Sequence, residues 1–212
     1  MNYTKTIREF CLQNKGDIFD VSYMKDAYFE MVPYKTLLKI LNRLEDEGII
    51  SCVAKGVYLI NEEGRELDDA IVEHFISNAR GMYSGYTLMN DYEITDHHNE
   101  YIEIYTNRLN THSKTIEGYQ LTRIDIPFTP QVVSMITLLD LIEKGYSIID
   151  VSVIRLNEII GALATEYIDA IFTIVVKSIP YHYSTIVTLK ELLDKKGIQN
   201  DSIRIYERYQ KL

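Results

Sequence analysis

The stretch from about Val21 to Ile60 constrains the fold of this 212-residue chain most strongly. It predicts a short helix, a turn, a longer helix from Pro33 to Glu47, and then a two-stranded hairpin. Pro33 suits the first helical position, where a missing N–H costs nothing, and Gly48 suits the position just past the last turn. The apolar residues of the longer helix recur at i, i+3, i+4 and i+7, which is the spacing of one buried face. They are Leu37, Ile40, Leu41 and Leu44.

The opposite side of the longer helix carries a basic stripe, because cations recur there at i, i+4 and i+8. A helix that lies in the major groove of DNA needs cations for the phosphates and polar side chains for the base edges. The residues predicted to contact DNA are Tyr34, Lys35, Lys39, Asn42 and Arg43 on this helix, and Lys55 in the hairpin turn Lys55-Gly56. Helix, helix and wing in this order are typical of a winged helix-turn-helix. Two alternatives stay open, a basic face that is only solvated and a winged helix that binds protein.

The net charge of −9 is spread unevenly along the chain. Lys and Arg equal Asp and Glu in number within residues 1–61, so the whole acidic excess falls on residues 62–212. An acidic C-terminal part repels phosphates unless its cations cluster on one surface. The charge distribution therefore favours DNA contacts made by the N-terminal part.

The composition suggests a cytoplasmic protein with no membrane partner. No apolar run is long enough for a transmembrane helix, and the N-terminal sequence MNYTKTIREF lacks the apolar core of a signal peptide. Cys11 and Cys52 lie in apolar patterns and lack the spacing of a zinc site. We therefore expect two buried thiols rather than a disulfide.

A polar run at residues 61–64 marks the boundary between two predicted domains, residues 1–61 and residues 66–212. In the second domain, the period-two alternation of Tyr101–Thr106 and Tyr119–Ile126 predicts two strands, which the polar segment between them would join as a hairpin. Helical patterns surround these strands. The chain is thus predicted to be α+β, with an N-terminal winged helix-turn-helix followed by a mixed α/β C-terminal domain.

Helices account for much of the remaining sequence. Thr129 and Pro130 suit the cap and the first residue of a helix that runs to about Lys144. The run Ile171–Val176 is apolar throughout and fits a helix or a strand, and Ser202–Tyr209 alternates like a final strand. Helical spacing also predicts helices at about Tyr3–Asn14, Arg65–Ala79, Leu156–Tyr167 and Thr185–Lys196.

Little in the sequence points to catalysis. There is no Gly-rich phosphate loop, and Ser84-Gly85 lacks the flanking glycine of a nucleophile elbow. The adjacent His97 and His98 do not converge on a metal by themselves. Gly85, with Ser84 or Thr87 as a cap, suits the start of a helix instead. We therefore expect a protein that is not an enzyme and that holds no cofactor and no metal.

Two stretches of the sequence together resemble a known family. Leu41–Tyr58 combines a basic helix, a Gly-Ile turn and a wing that ends in Lys-Gly-Val-Tyr, and Tyr83–Leu88 contains a Ser-Gly-Tyr segment that a strand follows. The combination resembles the AbiEi family of antitoxins, from type IV toxin–antitoxin and phage-defence operons. Thr129–Ile148 resembles the family only in its order of elements. This chain departs from the family at Glu93-Ile94, where Gly-Leu is usual, and in its acidic C-terminal part.

The resemblance implies a transcriptional autorepressor that binds operator DNA. It also implies an antitoxin that counteracts a co-encoded nucleotidyltransferase-like toxin, with no stable complex required. Whether the chain forms a homo-oligomer on DNA stays open. An alternative function is a ligand-responsive winged-helix regulator whose C-terminal domain binds a small molecule, and a third is an enzyme that the winged helix only recruits.

Overall fold

The computed structural model describes residues 2–204, and its fold class is α+β, as the sequence predicted. The helices are α1 (Tyr3–Gln13), α2 (Val21–Tyr28), α3 (Tyr34–Asp46), α4 (Leu67–Phe75), α5 (Gly85–Asp91), α6 (Pro130–Lys144), α7 (Val153–Thr165), α8 (Asp169–Ser178) and α9 (Tyr183–Lys196). The strands are β1 (Ile18–Asp20), β2 (Ile50–Ala54), β3 (Val57–Ile60), β4 (Gly81–Tyr83), β5 (Ile102–Thr106), β6 (Ser113–Ile116) and β7 (Tyr119–Arg123).

The N-terminal unit, residues 2–60, is built on the predicted apolar face of α3. That face packs against Ile7 and Cys11 of α1, and its residues are fully or almost fully buried: Leu37, Ile40, Leu41 and Leu44. The helix begins at Tyr34, one residue later than predicted, because the backbone of Pro33 is extended at ψ 133°. Helices α2 and α3 and the following hairpin appear in the predicted order, while their interpretation as a winged helix-turn-helix stays a prediction.

The β2–β3 hairpin belongs to a three-stranded antiparallel sheet in the order β1-β3-β2. Its turn falls at Lys55-Gly56, as predicted, and Gly56 takes the left-handed φ of +73° that the turn requires. The thiol of Cys52 was expected to be buried and is exposed, because Cys52 lies on β2 at the edge of the sheet, next to a bulge between Cys52 and Ala54. Cys11 is buried as expected, and both thiols are free.

The second sheet has the order β4-β5-β7-β6 and mixes parallel and antiparallel pairs. The predicted hairpin between the strands now numbered β5 and β7 is wrong, since these two strands pair in parallel. The supposedly polar loop between them contains β6, which pairs antiparallel with β7 across the turn at Glu117-Gly118. Because β6 takes the hairpin position, β5 can join β7 only from the other side.

Helices α6 to α9 pack together in the C-terminal part, where α6 contacts α7, α8 and α9. Thr129 caps α6 and Pro130 is its first residue, as predicted. The ambiguous run Ile171–Val176 lies within α8. The predicted final strand at Ser202–Tyr209 is not found where the chain is described, since residues 201–204 are helical, and its remainder lies outside the described residues.

A shared apolar cluster joins the N-terminal unit to the rest of the chain. Ile18 of β1 and Val57 of β3 are buried in it together with residues of α4 and of the second sheet. An ion pair between the buried Asp20 and the partly buried Lys114 of β6 lies at the same junction. The polar run at residues 61–64 connects β3 to α4, which packs directly beneath β1.

Within residues 2–204, no single helix has both the length and the apolar character needed to cross a membrane. The pair α7 and α8 passes the same test only when the two helices are taken together, and they are bent by 117° at their break.

Candidate nucleic-acid interface

Helix α3 brings five of the six predicted DNA-contact residues onto one element, and all five are exposed. Their exposure follows from the helical period, because the opposite face of α3 is committed to the core. The sixth residue, Lys55, is exposed in the turn of the β2–β3 hairpin. The predicted residues on α3 are Tyr34, Lys35, Lys39, Asn42 and Arg43.

The predicted cations are not neutralised by carboxylates. In the described part of the chain, Lys35, Lys39, Arg43 and Lys55 have no ion pair. Other basic residues do: Arg8 of α1, for example, donates to Glu47 at 2.7 Å. Unpaired surface cations are free to exchange their counterions for phosphates.

An acidic last turn limits the basic face of α3. Glu45, Asp46 and Glu47 are all exposed there. The carboxylate of Glu47 is held by Arg8, and that of Glu45 accepts the backbone N–H of Cys52 at 3.3 Å. Asp46 has neither kind of partner within residues 2–204. The 100° step of the helix places Asp46 between the directions of Lys39 and Asn42, so its charge opposes an anion bound on that face.

Lys55 stands apart from the other five residues. No ion pair or hydrogen bond among the described residues joins it to α3, although the carboxylate of Glu45 in that helix accepts the N–H of Cys52 in β2. The backbone N–H of Val21 donates to the carbonyl of Gly56 at 2.9 Å, which fastens the hairpin turn to the start of α2. The tip bearing Lys55 is therefore held in place by the backbone.

Tyr34 lies on the hairpin side of α3 rather than on the basic stripe. Burial raises the pKa of Tyr58 on β3, and Cys52, Glu45 and Tyr34 raise it further by their proximity. Tyr34 is half exposed, and two more exposed large side chains precede it in sequence, Tyr28 at the end of α2 and Met31 in the turn before α3. The start of α3 thus presents a ring and apolar surface, whereas its middle presents cations.

The start of α1 lies beside the basic stripe of α3, which the sequence pattern did not indicate. Lys39 and Arg43 line an open groove of about 560 Å³ whose other wall includes Asn2, Tyr3 and Thr4 at the start of α1. Asn2 caps α1 by accepting the N–H of Lys5 at 3.2 Å, so the groove ends at the positive end of a helix. The helical stripe of α3 could not indicate these residues, because tertiary packing alone brings them near.

The Ser-Gly-Tyr segment has a structural role. Ser84 precedes α5 but its side chain makes no capping bond, so the expected cap is wrong at this position. The carboxylate of Glu103 takes that place and accepts the N–H of Tyr86 at 2.8 Å. A Cβ on Gly85 would lie 2.0 Å from this carboxylate, so the side chain of Glu103 occupies the space that the glycine leaves.

Of the two adjacent histidines, His97 is packed as an ordinary side chain and His98 is exposed. The ring of His97 lies 5.0 Å from that of Tyr86, and its carbonyl accepts the amide of Asn90 at 3.0 Å. Among residues 2–204, no group of three or more His, Cys, Asp or Glu is arranged to hold a metal ion.

Comparison with known proteins gives little to set beside this geometry. No protein-family model and no curated protein matches the sequence. Among solved structures, the chain is similar to the crystal structure of the RV2827C protein from Mycobacterium tuberculosis, with 12% sequence identity and a TM-score of 0.40. The match covers 93% of this chain and 78% of that one.

Proposed function

We propose that this protein is a DNA-binding transcriptional autorepressor and an antitoxin that counteracts a co-encoded nucleotidyltransferase-like toxin. In this proposal the N-terminal unit is a winged helix-turn-helix whose α3 enters the major groove of operator DNA. The proposal takes its family from the resemblance to AbiEi antitoxins and its DNA-contact residues from the surface of α3.

One observation carries the DNA-binding proposal. The face of α3 opposite the core carries Lys35, Lys39 and Arg43 with no ion pair in the described part of the chain, and Asn42 lies beside them. A helix surface selected only for solubility would gain from pairing such cations with carboxylates at i+4, as Lys190 pairs with Asp194 on α9. Free cations around an amide are the combination that phosphate contacts and base readout require.

The first experiment measures binding to the protein's own promoter by gel shift across a range of salt concentrations. Lys39→Ala combined with Arg43→Ala should weaken binding and lower the salt slope by about two units, because each lost phosphate contact removes about one. The matched control is Lys195→Ala with Lys196→Ala, which removes two exposed cations of α9 and should leave binding unchanged. Equal binding by both double variants would remove the case for α3.

A second variant tests the same face with the opposite sign. Asp46→Asn removes the unpaired carboxylate of the last turn of α3, so DNA affinity should rise by about threefold or more, as expected for one fewer repulsive charge near phosphates. Asp201→Asn changes an exposed carboxylate far along the chain and serves as the control. Unchanged affinity for Asp46→Asn would place the DNA on another surface.

The antitoxin part of the proposal assigns toxin neutralisation to residues from about 66 onward. It is supported by charge, since the acidic excess lies entirely beyond residue 61 and an acidic surface suits a basic partner that handles nucleic acid. The full-length Lys39→Ala, Arg43→Ala variant should then bind the operator more weakly and still protect cells that express the neighbouring toxin. Growth arrest, despite normal abundance of the variant, would place neutralisation in the N-terminal unit.

A further inference from the structure

Two arginines emerge from the same end of the second sheet. Arg80 comes directly before β4 and Arg108 lies two residues after β5, and these antiparallel strands pair Gly81 with Thr106. Their backbones are also joined, because the carbonyl of Arg80 accepts the N–H of Asn107 at 2.8 Å and the hydroxyl of Thr106 at 3.0 Å. The sheet therefore fixes the two residues side by side.

Both arginines line a small cavity at the junction with the N-terminal unit. The cavity has a volume of about 90 Å³, and α4 contributes His74 to its wall. Asp17 and Tyr23 line it from the N-terminal side. A cleft between two units of a chain is a common position for a small-molecule site, since each unit supplies part of the lining.

The donors around this cavity are not all satisfied from within the protein. The Nε of Arg108 is buried and has no hydrogen-bond partner among the described residues. Its Nη1 donates to the hydroxyl of Tyr23, and the guanidinium carbon lies 5.5 Å from the centre of that ring. Arg80 donates to the carbonyl of Glu73 at 3.4 Å. Neither arginine has an ion pair within residues 2–204, although Arg80 lies close enough to the carboxylate of Asp17, in the same lining, to act on its charge.

His74 lies close to both arginine charges. Burial lowers the pKa of His74 to about 4, and the nearby charges of Arg80 and Arg108 lower it as well, while Asp20 acts in the opposite direction. The imidazole is therefore neutral at pH 7 and offers one N–H donor. Asp17, an exposed residue of the lining, is the opposing charge, and its pKa is raised by burial and by Glu73, while Arg80 and Arg65 lower it.

We propose that this junction cavity is a binding site for a small oxyanion with the chemistry of a phosphate group, held between the guanidinium groups of Arg80 and Arg108 and the ring of His74. The guanidinium nitrogens that are not already bonded to Tyr23 and Glu73, together with a neutral N–H, match a tetrahedral anion with several acceptor oxygens. The volume admits a phosphate-sized group, and an organic substituent would extend toward the rim at Asp17. The site does not depend on DNA binding, and it would link the N-terminal unit to the second sheet.

The test uses the full-length protein and inorganic phosphate, at a constant ionic strength adjusted with sodium chloride. Proton NMR of the five imidazole rings at neutral pH gives a readout inside the cavity. The resonances of His74 should shift saturably as phosphate is added. The rings outside the cavity are internal references and should stay in place: His97, His98, His112 and His182. An unmoved His74, whether or not the other rings respond, would overturn the proposal.

Variants then assign the ligand contacts. Arg80→Gln should weaken phosphate binding at least about tenfold, because a hydrogen bond to a charged group contributes about 1.5–3 kcal/mol. Lys177→Gln removes an exposed cation of α8 and should bind like the wild type. Should Arg80→Gln fail to fold, Arg80→Lys keeps the charge but loses the fork, and it should still bind several-fold more weakly than the wild type. Wild-type affinity in a folded Arg80 variant contradicts the site.

The same NMR titration distinguishes two sources of the phosphate group. Tighter binding of a nucleoside 5′-monophosphate than of orthophosphate would indicate a phosphomonoester ligand, with the base and sugar at the rim. Tighter binding of orthophosphate would indicate that the free anion is the ligand. Equal response of His74 to sodium chloride alone would show a general salt effect and overturn the proposal.

Discussion

Gly81 is the position at which the backbone leaves least room for a side chain. A Cβ there would lie 2.2 Å from the carbonyl oxygen of Phe75 and 2.3 Å from that of Tyr105. Both atoms belong to main chain, at the end of α4 and in β5, so neither can rotate away. Gly81→Ala should therefore lower the free energy of unfolding by about 3 kcal/mol, as overpacking of a close-packed site does. Urea denaturation of the full chain measures this loss.

The matched control for Gly81 is Gly161, within α7. A Cβ at Gly161 would meet no atom within 4 Å, and its φ is not in the left-handed region. Gly161→Ala should raise the free energy of unfolding by up to about 1 kcal/mol, because alanine favours a helix interior. If the two variants were equally stable, the approach of α4 and β5 to β4 would be looser than the structure has it.

Asp140 on α6 is a buried carboxyl whose ionisation lowers the stability of the fold. It accepts hydrogen bonds from the hydroxyls of Tyr181 at 2.8 Å and Tyr105 at 3.3 Å, and Lys144 lies 3.8 Å away. Burial nevertheless raises its pKa above the ordinary value. As pH rises, the carboxyl of Asp140 therefore loses its proton in the unfolded chain before it does so in the folded protein. Its ionisation destabilises the fold as pH rises from about 4 toward the raised pKa of the folded protein.

Asp140→Asn tests that cost directly. The amide of the variant cannot ionise. The free energy of unfolding of the variant, relative to that of the wild type, should therefore increase between pH 4 and pH 7. Titrations that both proteins share cancel in this difference. Urea denaturation at the two pH values gives this difference. A difference that does not change with pH would mean that the pKa of Asp140 is close to its ordinary value.

Elements with a strong internal pattern could be predicted from sequence, and elements defined by their partners could not. The apolar spacing in α3 and the Thr129-Pro130 start of α6 are local signals, and both helices are found at these positions. Strand β6 has no such signal, because only Ile116 among its four residues is buried. Its pairing with β7 depends on the neighbouring chain, so the parallel arrangement of β5 and β7 could not be read from the alternation of either strand.

The carboxylate of Asp20 connects the start of α2 to the second sheet. One oxygen caps α2 by accepting the N–H groups of Ser22 at 2.9 Å and Tyr23 at 3.1 Å, and the other pairs with Lys114. Asp20→Asn keeps a capping oxygen but leaves Lys114 buried without its partner, so it should cost about 3 kcal/mol. Asp20→Ala also loses the cap and should cost about 1 kcal/mol more.

A double-mutant cycle separates the two roles of Asp20. Asp20→Asn combined with Lys114→Met should cost less than the sum of the single variants, because no unpaired charge remains at the junction. Thermal or urea unfolding of the four proteins supplies the comparison. Strict additivity would show that the ion pair does not stabilise the junction.

The site and the architecture differ in how far the sequence could predict them. The exposed positions of Lys35, Lys39 and Arg43 follow from helical periodicity, so the candidate surface on α3 could be predicted from the sequence. The wall supplied by α1 and the cavity between Arg80 and Arg108 could not, since their residues are far apart in sequence. Tertiary packing creates both features.

The same packing bears on whether the N-terminal unit is independent of the rest of the molecule. Ile18 and Val57 are 1% and 0% exposed, and both belong to the cluster that α4 and the second sheet complete. A fragment of residues 1–61 would expose these two side chains. At about 2 kcal/mol for each, it should lose about 4 kcal/mol of stability, a large part of what a small domain has.

We therefore expect the full chain to unfold in one cooperative transition and the fragment of residues 1–61 to have a clearly lower thermal midpoint. Ile18→Ala in the full chain should lower the midpoint of that single transition, because its loss affects both sides of the junction. Calorimetry of the three proteins makes the comparison. Two separate transitions in the full chain, one of them at the midpoint of the fragment, would show that the N-terminal unit folds independently and that its contacts with α4 contribute little.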